Sequence, residues 1–130
     1  MPPSPGPGLL AALGDGDEVL VTSRDDQREV TVRMNFAATV SGEIYLMTGA
    51  FSRKALRWER DPWVRLTAPD SGVSTEGAVH RVVAADIPAG AGPAIIDRFA
   101  SAGAATPEAL RQTLETGTHL LFRFDPNRRD

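Results

Sequence analysis

The stretch Gly49–Pro62, GAFSRKALRWERDP, decides how this chain is read. Its Lys54 is the only lysine; the fourteen basic residues are otherwise all arginine. Ser52 has the hydroxyl of an N-cap and Pro62 cannot continue a helix, so a short helix is predicted between them. Such a helix favours acidic side chains in its first turn and basic ones in its last. Here Arg53 and Lys54 open the segment, while Glu59 and Asp61 crowd its end. Two readings account for that polarity. In one, the basic pair is simply solvated and ion-paired, at a cost of about 0.3–1 kcal/mol per misplaced charge. In the other, the helix start is an anion site. Free backbone N–H groups, the Ser52 hydroxyl, an arginine fork and a lysine point charge then converge on a phosphate.

Strands flank this helix on both sides. Upstream, LLAALGDG (Leu9–Gly16) predicts a short helix ended by Gly14, and DEVLVTSR (Asp17–Arg24) a first strand. After the turn DDQ comes REVTVRMNFAATV, with Val30, Val32, Met34 and Phe36 at period two on one buried face. Ser41-Gly42 is read as a hairpin turn into EIYLMTG. Downstream, PWVRLTA begins with a proline at a tolerated strand start. PDSG then turns into VSTEGAVHRVVAADI, where Gly77 marks a bulge or a close backbone approach. Pro93 starts a helix with Ile95, Phe99 and Ala102 on one face and Gly103 as its stop. Thr106-Pro107-Glu108 starts another, with Leu110 and Leu114 as its stripe and Gly117 as its end. THLLFRFDP closes the chain as a strand presenting Leu120, Phe122 and Phe124. Short antiparallel connections around a helical excursion predict a mainly β or α+β fold: a six-stranded antiparallel Greek-key barrel with short flanking helices.

Composition narrows the function classes. At 130 residues the chain supports one core, expected over residues 17–126 behind a proline-glycine arm and short helix over 1–16. A net charge of −3 supplies no general attraction for nucleic acid or an anionic membrane. There is no cysteine, and His80 and His119 stand in no ligand-spaced motif, so no metal site is expected. No apolar run approaches the ~18 residues of a membrane span, and MPPSPGPG lacks the basic and apolar regions of a signal peptide. The expected location is the cytoplasm.

The run Thr48–Leu66, TGAFSRKALRWERDPWVRL, resembles the pyridoxine 5′-phosphate oxidase-like flavin-binding split barrels. That superfamily shows a strand ending in Thr, a four-residue step to Ser-Arg-Lys, a short helix, then Asn-Pro and a Val-rich strand. Thr48, Ser52, Arg53 and Lys54 keep the spacing, and Asp61-Pro62 stands where Asn-Pro is usual. The preceding hairpin, the strand TEGAVHRVV and the terminal LLFRFDP follow in the family's order. The resemblance implies that Thr48, Ser52, Arg53 and Lys54 bind the terminal phosphate of FMN. It also implies that VRMNF runs beneath the isoalloxazine ring, with Arg33 at a phosphate-binding position and Met34, Asn35, Phe36 and Met47 around the ring. For Val32, Met34 and Phe36 plain core packing is the competing reading, as solvation is for Arg33. Related short split barrels use FMN, a deazaflavin or haem, and the family places its flavin at a homodimer interface. Trp58 and Trp63 suit that interface or the chain's own core equally.

The chain also departs from the vitamin oxidases. It lacks their C-terminal His and Arg substrate motif and their Arg-Gln-Val segment, leaving only Arg128-Arg129 as an unassigned basic cluster near the end. Oxidation of pyridoxamine 5′-phosphate is therefore not expected. Tyr45, His80 and His119 are the available acid–base candidates, none with a supporting motif, so no catalytic residue is assigned. The resemblance implies hydride transfer with an unidentified small substrate. A deazaflavin-dependent reductase, a non-catalytic flavin or haem carrier, and a cofactor-free interaction module remain alternatives.

Overall fold

Period-two burial builds the first hairpin of the computed structural model, which describes residues 7–14, 16–39, 41–88, 90–100 and 104–126. Strands β1 (Glu18–Asp25) and β2 (Arg28–Asn35) pair antiparallel in unbroken register around Asp26-Gln27. Asp26 takes the left-handed conformation there, at φ 58°, which aspartate tolerates better than most residues. The predicted strand over 28–40 does not continue through this hairpin. It breaks at Phe36, whose amide donates to the Asp17 carbonyl at 3.1 Å. The short β3 (Ala37–Ala38) then pairs with β4 (Ile44–Gly49) instead. Among the described residues there are thus seven strands rather than six.

That break closes the fold. After β5 (Trp63–Thr67), β6 (Ser74–Val82) and β7 (His119–Pro126), the single antiparallel sheet runs β2-β1-β5-β6-β7-β4-β3. Its two edge strands, β2 and β3, are separated in the chain by Phe36 alone, so the sheet must curl to bring the end of β2 to the start of β3. A curled half-barrel follows, with β2 and β3 as its edge strands. Along β2 only Met34 is fully buried; Val30 and Val32 of the predicted face are half-buried, as suits an edge strand.

Two apolar clusters sit on the two faces of the sheet. The interior holds Val19, Val21, Phe36, Ile44, Leu46, Val64, Leu66, Phe122 and Phe124. Helix α1 (Pro7–Leu13) adds Leu9 and Leu13 to it, and α2 (Arg53–Arg60) adds Ala55 and Trp58. The outer face carries α3 (Gly92–Phe99) and α4 (Pro107–Thr116), whose Ile95, Phe99, Leu110 and Leu114 cover Tyr45, Met47, Val82 and Leu121. Strands β4 and β7 lie between both clusters, which is why their sequences are apolar on alternate and intervening positions alike. Gly77 is a close approach and not a bulge, because its register with β5 and β7 is unbroken.

Local signals set the helix ends. The Thr106 hydroxyl accepts from the Ala109 amide at 3.0 Å to start α4, and Gly117 ends it at φ 77°. The expected Ala102 packing and Gly103 stop of α3 lie outside the described residues, as do the N-terminal arm and Arg128-Arg129. No helix among the described residues is long and apolar enough to cross a membrane.

Candidate functional site

The start of α2 is held from both sides of the chain. The Ser52 hydroxyl accepts from the Ala55 amide at 3.1 Å and shares a 2.9 Å bond with the Thr48 hydroxyl at the end of β4. It therefore acts as a cap that fastens the helix to the strand. The helix's last turn is basic, through Arg57 and Arg60, as its dipole favours. Asp61 is neutralised: Arg24 donates to both of its oxygens, at 2.8 and 2.9 Å. That bidentate contact holds the Asp61 carboxyl below the usual carboxylate range. The reversed polarity is thus confined to the first turn, where Arg53 and Lys54 sit beside helix N–H groups that have no intrahelical acceptor.

These two cations diverge. Lys54 lines a cleft of about 290 Å³ formed by the ends of several elements. Strand β2 contributes Arg33, Met34 and Asn35, and β4 contributes Met47, Thr48 and Gly49. The end of α3 brings Arg98 and Phe99, and the start of β7 brings His119. Arg53 lines a separate groove on the other flank of α2, together with Arg57 and Arg60. Phe36 does not reach the cleft and packs in the interior. Of the predicted cofactor residues, Arg33, Met34, Asn35, Met47, Thr48 and Lys54 therefore share one cleft. Ser52 supports it through Thr48, while Arg53 and Phe36 lie elsewhere.

The cleft is cationic and incompletely paired. Arg33 meets Glu18 at 3.4 Å on an exposed rim, and Arg98 meets Asp17 at 3.7 Å, both loose contacts. Arg98 Nε and His119 Nδ1 are buried without a hydrogen-bond partner. Buried polar atoms of this kind are rare because each costs about 1–3 kcal/mol, so they mark polar groups beside the cleft that the described residues do not satisfy. Among the described residues Lys54 has no carboxylate within ion-pair distance either. Met34, Met47 and Phe99 are themselves buried in the core clusters, so the cleft is mainly polar: three cations and an imidazole fit an anionic group.

Comparison with solved structures finds the same architecture. A candidate pyridoxamine 5′-phosphate oxidase from Listeria innocua superposes at a TM-score of 0.63 with 16% identity, over 92% of this chain and 90% of that one. The chain has the split-barrel fold of the pyridoxamine 5′-phosphate oxidase-like proteins. Other split barrels similar to it include an FAD-binding protein from Mesorhizobium loti, with TM-score 0.56, 11% identity and coverage of 92% and 88%. The haem storage protein HutZ from Vibrio cholerae matches at 0.58, with 14% identity and coverage of 97% and 92%. No family model matches the sequence, and no curated protein matches it.

Within this split barrel the other acid–base candidates lie away from the cleft. Tyr45 is fully buried and donates to Glu43 Oε1 at 3.1 Å. Burial, and then the Glu43 carboxylate, pushes its phenol up to about 12. His80 is exposed and meets Asp125 at 3.1 Å. Only His119 joins the cleft, opposite Gly49 in the β4–β7 register. Trp58 belongs to the core: it is 3% exposed, and its indole N–H donates to Ser23 Oγ at 2.9 Å. Trp63 is half-buried, with Arg24 and Arg65 guanidinium groups 4.7 and 5.2 Å from its ring. Sequence reasoning did not place Arg98 and Phe99 here. Nothing local marks them; they arrive because α3 packs beside β3.

Proposed function

We propose that this split barrel is a flavin-dependent oxidoreductase whose cleft binds a phosphate-bearing flavin, FMN in the first instance. The observation that carries the proposal is the set of cationic side chains lining one cleft, Arg33, Lys54 and Arg98, of which Lys54 meets no carboxylate among the described residues. An FMN phosphate supplies acceptors for these groups, and an α2 start carrying an anion removes the penalty of its first-turn cations. Arg33, Lys54 and Arg98 would grip the phosphate, and Thr48, tied to Ser52, would keep the β4 end and the helix start in one geometry. Asn35, exposed on the β2 rim, would give the ring a neutral donor and acceptor, while Met34, Met47 and Phe99 are buried behind the cleft. A bound flavin supplies hydride transfer at its N5. Of the cleft's residues, His119 is the one that would hold or move a proton.

The exposed Phe51, next to Gly49 and Lys54 in the chain, supports a second copy as the cleft's outer cover, and so a homodimer. Light scattering that reports a monomer, with and without FMN, would remove that part. A second reading has one observation in its favour: an imidazole, His119, lines the same cationic cleft, which also suits haem with its propionates on the arginines. A visible spectrum after reconstitution separates them. Flavin bands support the proposal, a Soret band with no flavin uptake favours haem, and a colourless protein after both treatments refutes both. A deazaflavin tested the same way decides between the two flavin types.

A further inference from the structure

A second cavity, sharing no lining residue with the cleft, opens between the 3₁₀ turn Ala84–Asp86, α3 and α4. It measures about 460 Å³, a volume typical of small-molecule sites. Ile87, Ile96 and Leu110 give it apolar surface continuous with the outer-face cluster; Leu110 is buried and both isoleucines are half-buried. Pro88, Pro93 and Pro107 line it as well. Pro93 and Pro107 stand in the first turns of α3 and α4, where their rings carry no N–H. At those two positions the helix starts therefore present hydrocarbon and not the amide donors that would favour an anion.

The charge of the cavity is gathered on one helix. Among the described residues its only charged lining groups are Arg111 and Glu115, four residues apart on α4. Arg111 is already engaged: Nε and Nη2 donate to Glu108, and Nη1 donates to Glu115 Oε2 at 2.7 Å. Two carboxylates thus share one guanidinium, an excess of one negative charge. Glu115 Oε1 takes no hydrogen bond among the described residues. An anionic ligand would add to that excess, whereas a cation would balance it. We infer that the cavity binds a small apolar amine, its hydrocarbon body against the isoleucines and prolines and its ammonium on Glu115. The inference does not depend on the flavin reading of the cleft.

Phenylbutylamine, phenylbutanol and phenylbutyrate share one body and differ in the head group, so titrating each while following backbone amide chemical shifts tests it. The amine should shift Ala84, Ile96 and Glu115. It should bind about threefold more tightly than the alcohol and about tenfold more tightly than the carboxylate, a modest ratio because Glu115 is exposed. Glu115→Gln should remove the advantage of the amine while the alcohol still binds. Ala85→Trp, at an exposed lining position, should fill the cavity and weaken all three, with circular dichroism checking that both variants are folded. Equal affinity for amine and carboxylate, shifts confined to Arg33, Lys54 and Arg98, or no shifts at all would overturn the inference. So would a dimer, seen by light scattering, that Ala85→Trp dissociates, since a second copy would then fill the cavity.

Discussion

Substituting Gly77→Ala should destabilise the barrel through a backbone collision. A Cβ built on Gly77 lies against the Asp125 carbonyl oxygen and within 2.8 Å of Phe124 Cε1 and Pro126 Cα. Two of these three are main-chain atoms of β7, held there by the pairing of Gly77 with Pro126 and Ala78 with Asp125, so they cannot rotate away as a side chain would. Overpacking in a filled core costs about 1–3 kcal/mol, and rigid neighbours put this site at the upper end. The methyl group also reduces the freedom of the unfolded chain, returning about 0.4–1 kcal/mol. A net loss of about 2 kcal/mol remains, which lowers the melting temperature by roughly 6–10 °C for a domain of this size. Urea unfolding and thermal scanning followed by circular dichroism measure it. A variant within about 0.5 kcal/mol of wild type would refute the reasoning, since the end of β7 would then have to yield at its pairing with β6.

Three further outcomes follow from side-chain geometry. Tyr45, pushed up to about 12 by burial and Glu43, ionises later in the folded chain than in the unfolded one, near 10. Stability is then intact below pH 10 and falls as pH rises from 10 to 12, by about 2–3 kcal/mol, a drop that Tyr45→Phe should abolish in urea titrations. Trp58 and Ser23 form a buried hydrogen bond at 2.9 Å, so Trp58→Phe and Ser23→Ala each leave an unpaired buried group. A double-mutant cycle should show about 1 kcal/mol of coupling, and simple additivity would mean the bond contributes nothing. Lowering the pH should weaken the Arg24–Asp61 tie, because a depressed carboxyl lends stability above its unfolded pKa and loses it as pH falls through the folded value. In Arg24→Ala that acid-side dependence should shrink, and an identical acid profile for wild type and variant would contradict it.

Features with local chemistry were legible in the residues themselves. Ser52 and Thr106 cap their helices through their own hydroxyls, and Gly14 and Gly117 adopt the positive φ that ends a helix. The strand break at Phe36 was not legible, because period-two alternation runs through it unchanged; what breaks the strand is a change of partner from β1 to β4. The same limit governs the cleft. The β2 and β4 rims and Lys54 were marked by the Ser-Arg-Lys spacing, whereas Arg98 and His119 reach the cleft from α3 and β7 through packing. Arg53 illustrates the remaining difficulty. Adjacent helix residues differ by about 100° in direction, so consecutive cations of one motif serve opposite flanks of the helix.

Parallel titration of FMN and riboflavin against the wild-type protein is the most direct test of a phosphate-recognising flavin cleft. The two ligands share the ring and differ in the anion that Lys54, Arg98 and Arg33 would hold. With charge-assisted bonds at about 1.5–3 kcal/mol each, FMN should bind at least about a hundredfold more tightly than riboflavin. Lys54→Ala/Arg98→Ala should remove most of that difference and leave riboflavin unaffected. Equal affinities of the wild-type protein for FMN and riboflavin would contradict it.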